Sequence, residues 1–280
     1  MHITQDMIDL YDQYTHSGTL SRRELIARLG GVAALALIEA RATAVPKVAA
    51  DDARISAKPT EVPLDGGRSM KGYLAQPKDA ANAPRVLVIH ENRGLNEHMM
   101  DVARRFAAAG VVAYAADFLS AAGGTPANED TARDMIGKLD RAATITDGVA
   151  TLNWLSTKAP GRGIACAVGF CWGGGMVNDL ATAAGPHLRA GIAYYGAPAA
   201  DLAAVAAIKA KLVLHYAGLD TRINDMALPY QAALKANGVA FEAHMYDGVN
   251  HAFNNDTSEA RYDEAAANLA WARTLAAIKL

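Results

Sequence analysis

Cysteine is scarce. The chain has two in 280 residues, Cys166 and Cys171, with no C-x-x-C pair and no Cys/His cluster at zinc spacing. That excludes a disulfide framework and a dedicated structural zinc site. The eight histidines form no H-E-x-x-H arrangement, so no metal is expected. Charge of one sign is lacking too. Lys and Arg number 27 against 29 Asp and Glu, the formal net charge is −2, and the basic residues are scattered. Nothing there calls for a nucleic-acid partner. No apolar run reaches the ~18–20 residues that a membrane span needs. The longest, "GGVAALALI" at residues 30–38, is bracketed by Arg28 and Glu39. No internal repeat is visible.

What is present reads as an ordinary folded chain. Hydrophobic residues make up 51% and charged residues 20%, a balance that fits one large domain at this length.

The N-terminal part has two readings. Residues 4–14 form a short helical pattern, with Met7, Ile8, Leu10, Tyr11 and Tyr14 on one side. Ser21-Arg22-Arg23, then Leu25, Ile26 and an apolar region, resembles a twin-arginine export signal with Ala42-Thr43-Ala44 as a cleavage site. Ser21 and Glu24 equally form a capping box that opens an amphipathic helix, and Glu39 and Arg41 crowd the end of the apolar region. A retained helical extension and a cytoplasmic protein is the preferred reading. Export to the periplasm or beyond is the alternative. Residues 45–60, with prolines and charges but no period, read as a linker. The domains are therefore an extension and linker over 1–59 and a main domain over 60–280.

From there short apolar β-runs alternate with helical stretches. Strands are expected at 70–77 (antiparallel), 85–91, 111–117, 163–170, 190–196, 211–217 and 240–246. Helices are expected at 97–109, within 128–158, from about Trp172, and near 201–208, 226–237 and 258–277. Near-continuous β-runs separated by helices predict an α/β fold, a mostly parallel sheet covered on both faces. Ligands of such sheets bind outside the carboxyl ends of the strands. That directs attention to the loops 91–97, 117–127, 170–175, 196–201, 217–225 and 247–255.

A consistent set of residues falls in those loops. Gly169-Phe170-Cys171-Trp172-Gly173 has the spacing of a nucleophile elbow, G-x-S-x-G, with cysteine in place of serine. Alone it reads better as a glycine-rich turn with an incidental cysteine. Asp220 follows the strand 211–217, and His251 follows the strand 240–246. The order nucleophile, acid, histidine is that of α/β-hydrolases. A histidine takes the thiol proton, and a buried carboxylate fixes its tautomer. Three suitable residue types in this order, each just after a different parallel strand, favour function over coincidence. Asp225 is the rival to Asp220, and His215 and His244 lie inside strands as core or sheet-face residues. A disulfide between the cysteines is excluded by reach. Five extended residues separate their Cα atoms by ~16 Å, and a disulfide needs under ~7 Å.

On "GFCWGGG", "HENRGLN", "AADFL", "AGLDTRI" and "GVNHAF", the chain over about residues 60–280 resembles the dienelactone hydrolase family of the α/β-hydrolase superfamily. The resemblance implies an α/β-hydrolase fold and a hydrolase of carboxylic esters or lactones that needs no cofactor. It implies Cys171 as nucleophile, Asp220 and His251 as its triad partners, and Glu91 as a catalytic carboxylate that contacts the resting thiol and takes part in activating it when substrate arrives. By the same resemblance, the backbone N–H groups of Asn92 and Trp172 form the oxyanion hole.

The chain also departs from that pattern. The family's carboxylate-binding arginines are unmatched: the stretch after residue 117 reads Phe118-Leu119-Ser120-Ala121-Ala122, and the position four beyond His251 is Asn255. Phe118, Leu119, Trp172, Tyr195 and Phe253 suggest an apolar pocket for a neutral ester or lactone, with Arg93 and Arg222 as the arginines near enough to enter it. A phosphotriester hydrolase using the same thiol, and a non-hydrolytic binding protein of the same fold, are the alternatives.

Overall fold

A computed structural model of the protein describes residues 47–279. The twin-arginine-like motif and the helical patterns before residue 47 lie outside the described residues. An eight-stranded sheet runs in the order β1-β2-β4-β3-β5-β6-β7-β8. Its strands are β1 (Ile55–Pro63), β2 (Ser69–Pro77), β3 (Arg85–Ile89), β4 (Val112–Ala116), β5 (Cys166–Phe170), β6 (Ala190–Tyr194), β7 (Lys211–Ala217) and β8 (Phe241–Tyr246). β1 pairs antiparallel with β2, and β2 antiparallel with β4. From β4 to β8 every pairing is parallel.

Among the described residues six α-helices accompany the sheet: α1 (Glu97–Ala108), α2 (Glu129–Ile136), α3 (Arg141–Thr157), α4 (Trp172–Ala183), α5 (Thr221–Ala236) and α6 (Glu264–Lys279). Side-chain caps start several of them. Asn96, Asn128, Asp140 and Asp220 each accept a backbone N–H from the first turn. The core is divided by the sheet. One cluster joins Met99, Val102 and Phe106 of α1 and Leu269 and Ile278 of α6 to Val86, Val88, Val168 and Ile192. The other joins Leu152 and Leu155 of α3, Val177 and Leu180 of α4, and Ile223 and Leu234 of α5 to Leu87, Ile89 and Leu214. The central strands β3, β4, β5 and β6 are buried along their whole length, because helices cover both faces.

The expected linker at 45–60 is corrected in part. β1 begins at Ile55, inside that stretch, and its register with β2 runs from Ile55 opposite Pro77 to Pro63 opposite Ser69. Half of β1 faces water, and an edge strand tolerates the charges and Pro59 that hid it. The stretch near 201–208 is a 3-10 helix, Leu202–Ala207, rather than an α-helix. α5 starts five residues earlier than expected, because Asp220 caps it.

Candidate active site

The carboxyl ends of β3, β5, β6, β7 and β8 converge on one cavity of about 440 Å³. Cys171 stands between β5 and α4, at φ 55° and ψ −114°. That left-handed backbone is strained for a side-chain-bearing residue, and such strain concentrates at functional turns. The neighbouring glycines permit it by close approach. A Cβ on Gly169 would fall 2.0 Å from the Gly173 carbonyl oxygen, and a Cβ on Gly173 would fall 2.4 Å from the carbonyl oxygen of Ile89. β3, β5 and the first turn of α4 therefore touch backbone to backbone.

The backbone N–H groups of Trp172 and Asn92 favour the ionised form of the Cys171 sulfur. Burial, and after it the Glu91 carboxylate, push the Cys171 pKa up to about 11, against those two N–H groups and the Arg222 guanidinium. The resting sulfur is a thiol. Cys166 is fully buried in β5, both cysteines are free, and burial raises the Cys166 pKa as well.

His251 lines the same cavity. Its Nδ1 lies 2.5 Å from Oδ2 of Asp220, which is 8% exposed. The other Asp220 oxygen accepts the Ile223 N–H at 3.4 Å as the cap of α5. Asp225, the alternative acid, is exposed on α5. A thiol and a histidine oriented by a buried carboxylate, with backbone N–H groups beside the thiol, are the parts that acyl transfer needs.

Glu91 follows β3. Its Oε2 accepts the Asn255 side-chain amide at 2.7 Å, and its Oε1 accepts the Tyr195 hydroxyl at 3.2 Å. Neither partner was legible as a Glu91 ligand in the sequence. His90 is a second residue that sequence reasoning passed over. It is buried, its Nδ1 lies 2.7 Å from the Glu91 carbonyl oxygen, and its Nε2 accepts the Phe118 N–H at 3.2 Å. Those two bonds require a neutral ring with the proton on Nδ1, and burial holds its pKa low. His90 also stacks on Trp172, ring centroids 5.2 Å apart. It thus ties the loop bearing Glu91 and Asn92 to the elbow.

The expected apolar pocket is corrected. Trp172, Tyr195 and Arg222 do line the cavity, but so do Arg133 of α2 and Arg141 of α3. Phe118, Arg93 and Phe253 are outside its lining. Phe118 turns inward, edge-on to His90 and Trp172, and Phe253 is fully buried among Tyr195, Tyr194 and Tyr246. Leu119, also fully buried, packs with Ala132 and Ile136 of α2. Arg93 is drawn away by an ion pair with Asp130 at 2.8 Å. Arg141 pairs with the buried Asp179, which also lines the cavity. The family's arginine positions are empty here, but α2, α3 and α5 supply three others.

Among the described residues, no group of three or more His, Cys, Asp or Glu is placed to hold a metal ion, and no helix is long and apolar enough to cross a membrane.

Comparison with known proteins gives a consistent answer. The profile of the dienelactone hydrolase family matches residues 70–279. A Salmonella typhi protein, provisionally named a carboxymethylenebutenolidase, is 30% identical over 238 residues, covering 80% of this chain and 87% of its own. A crystal structure from Klebsiella pneumoniae, provisionally named a dienelactone hydrolase, matches at TM-score 0.72 with 28% identity, over 80% of this chain and 98% of that one. A dienelactone hydrolase-like promiscuous phosphotriesterase from metagenomic libraries matches in fold at TM-score 0.71 with 22% identity, over 81% of this chain and 98% of that one.

Proposed function

The chain belongs to the dienelactone hydrolase family, and from that premise we propose that Cys171, His251 and Asp220 form the catalytic triad of an ester-bond hydrolase. The activity is hydrolysis of a carboxylic ester or lactone. The observation that carries the triad reading is that Cys171 and His251 line one cavity while Nδ1 of His251 is held 2.5 Å from Asp220. Asp220 keeps the Nδ1 proton in place, so Nε2 is the free base.

The chemistry follows from that arrangement. As Cys171 Sγ attacks the carbonyl carbon, its proton passes to His251. The developing oxyanion takes the N–H groups of Asn92 and Trp172, each fixed donor contributing about 2.7–4 kcal/mol to the barrier reduction. Collapse breaks the carbon–oxygen bond, and the leaving alkoxide takes the proton from His251. Water then gives a proton to His251 and attacks the thioester. The thiolate leaves and is reprotonated, and the acid departs. For a lactone, both ends of the opened ring belong to one product.

Arg133, Arg141 and Arg222 line the cavity. Of these, Arg141 is paired with Asp179 and Arg133 with Asp130 and Asp134, which leaves Arg222 as the lining cation that acts on the elbow thiol. Through Arg222, an ester or lactone that carries a carboxylate fits this lining better than a neutral one. A panel of chromogenic esters, lactones and phosphotriesters, turned over by wild type and Cys171→Ala, tests the reading. Hydrolysis of carboxylic esters or lactones that disappears in the variant supports it. Undiminished turnover in the variant sinks the triad, and turnover confined to phosphotriesters moves the substrate class.

A further inference from the structure

Cys171, Gly175 and Asp179 all line the active-site cavity, and they follow one another at four-residue intervals from the elbow down α4. That spacing keeps them on one face, and the rise of an α-helix makes the stretch about 12 Å long. Gly175 keeps the passage open. A Cβ there would meet Ala197 at 3.6 Å, an ordinary contact, so backbone packing does not demand this glycine as it demands Gly169 and Gly173. Trp172, Met176 and Ile136 add apolar walls between the two ends.

The ends differ in charge. At the elbow, Arg222 acts as a cation on Cys171. At the far end, Arg141 of α3 is ion-paired with Asp179. Asp179 is 3% exposed, and its Oδ1 accepts the Ala200 N–H at 2.9 Å, so the carboxylate is fixed in place. Burial raises the Asp179 pKa, and the Ala200 N–H and the permanently charged Arg141 act against that. The Arg141 side chain is half exposed. A guanidinium carries five N–H donors in a rigid fork, and Asp179 cannot use them all. The others remain available at a place whose positive charge Asp179 already balances. Between the ends, the apolar walls suit a hydrocarbon chain.

His251 has to reach the leaving oxygen, so the leaving group lies on its side of the cavity and the acyl chain takes the arm along α4. We propose that Arg141, fixed by Asp179, is a specificity-determining residue that receives a neutral oxygen, a hydroxyl or a carbonyl, at the tip of an apolar acyl chain of medium length. This rests on the reading of Cys171 as the nucleophile that takes the ester carbonyl at the other end. A neutral acceptor satisfies the free guanidinium donors without bringing a second negative charge beside Asp179. A plain alkyl tip leaves those donors without a partner.

The test compares p-nitrophenyl acetate with p-nitrophenyl octanoate and the ω-hydroxy and ω-carboxy forms of the octanoate. The readout is the ratio of kcat/KM between octanoates within one enzyme, so a general loss of activity in a variant cancels. In wild type the ω-hydroxy ester should exceed the plain octanoate about tenfold, the worth of one hydrogen bond to a charged group. It should exceed the ω-carboxy ester as well. Arg141→Met should abolish the ω-hydroxy advantage. Asp179→Asn should reverse the order of the two polar tips, because the guanidinium charge then stands unbalanced. Equal turnover of the ω-hydroxy and plain octanoates in wild type overturns the proposal, and so does an advantage that survives Arg141→Met. Turnover of the acetate but of no octanoate overturns it too. Undiminished turnover in Cys171→Ala marks failure of the hydrolase reading instead, and the proposal falls with it. If the Arg141 and Asp179 variants do not fold, Gly175→Ala takes their place, since its Cβ has room and narrows the passage. It should lower the octanoates relative to the acetate, and an unchanged ratio there overturns the proposal.

Discussion

Asp220 serves two partners with one carboxylate. One oxygen caps α5 through the Ile223 N–H, and the other sits 2.5 Å from Nδ1 of His251. The helix start therefore helps to hold the acid in the orientation in which its other oxygen meets the histidine. Asn at this position keeps a capping oxygen but loses the charge that orients the ring. Asp220→Asn is expected to lower kcat by about 10³–10⁴ while the melting temperature moves little. Asp220→Ala should lose the cap as well, at about 1 kcal/mol of stability. Activity assays and thermal unfolding of the two variants check both parts.

The elbow glycines make a sharper structural prediction. A Cβ at Gly173 would meet the carbonyl oxygens of Ile89 and His90 at 2.4 and 2.5 Å, and neither can rotate away. Gly173→Ala must push β3 and α4 apart and displace Glu91 and Asn92 with it. The expected cost is about 1–3 kcal/mol in urea unfolding, with kcat falling further than KM rises.

Arg222 is expected to discriminate among substrates. It lines the cavity and acts electrostatically on Cys171. Arg222→Met is expected to cut kcat/KM about 10–100-fold for esters bearing a carboxylate, the worth of one charged hydrogen bond. Matched neutral esters should lose much less. Equal losses on both series would mean that Arg222 does not contact the acid group.

Behind the His251 loop lies a buried ionic cluster. Asp256 is 2.6 Å from Arg105 Nη2 and 3.3 Å from His98 Nδ1, and Arg105 also pairs with Asp101 of α1 at 2.5 Å. Burial opposes ionisation of Asp256, but His98 and Arg105 outweigh it and hold the carboxyl below the usual carboxylate range. A depressed carboxyl contributes stability above its unfolded value near 3.8 and loses it as pH falls through the lower native value. Asp256→Asn should therefore cost about 1–3 kcal/mol at neutral pH. The gap to wild type should narrow below pH ~4, as urea titrations across pH would measure.

Much of the candidate site was legible in the chain because its residues lie in the first few positions beyond strand ends. Cys171, Asp220, His251 and Glu91 stand just past β5, β7, β8 and β3, and a parallel sheet gathers such positions at one end. What was hidden depends on packing between elements. Arg133 and Arg141 sit on helices, and nothing in their local pattern says that α2 and α3 lean over the cavity. Phe118 and Phe253 come after strands too, yet their rings turn inward onto other aromatic rings, and Arg93 turns to Asp130. Asn255 registered only as a missing arginine. Its bond to Glu91 spans 164 residues of chain, a contact that no local pattern carries.

The central claim is that Cys171 forms the covalent bond to substrate. Rapid quenching of the enzyme with an excess of a slowly deacylating p-nitrophenyl ester, followed by peptide mass mapping, tests it most directly. The account predicts a burst of about one nitrophenolate per active site and an acyl thioester on the peptide containing Cys171, both absent in Cys171→Ala. An acyl group on another residue, or a full burst in Cys171→Ala, would contradict it.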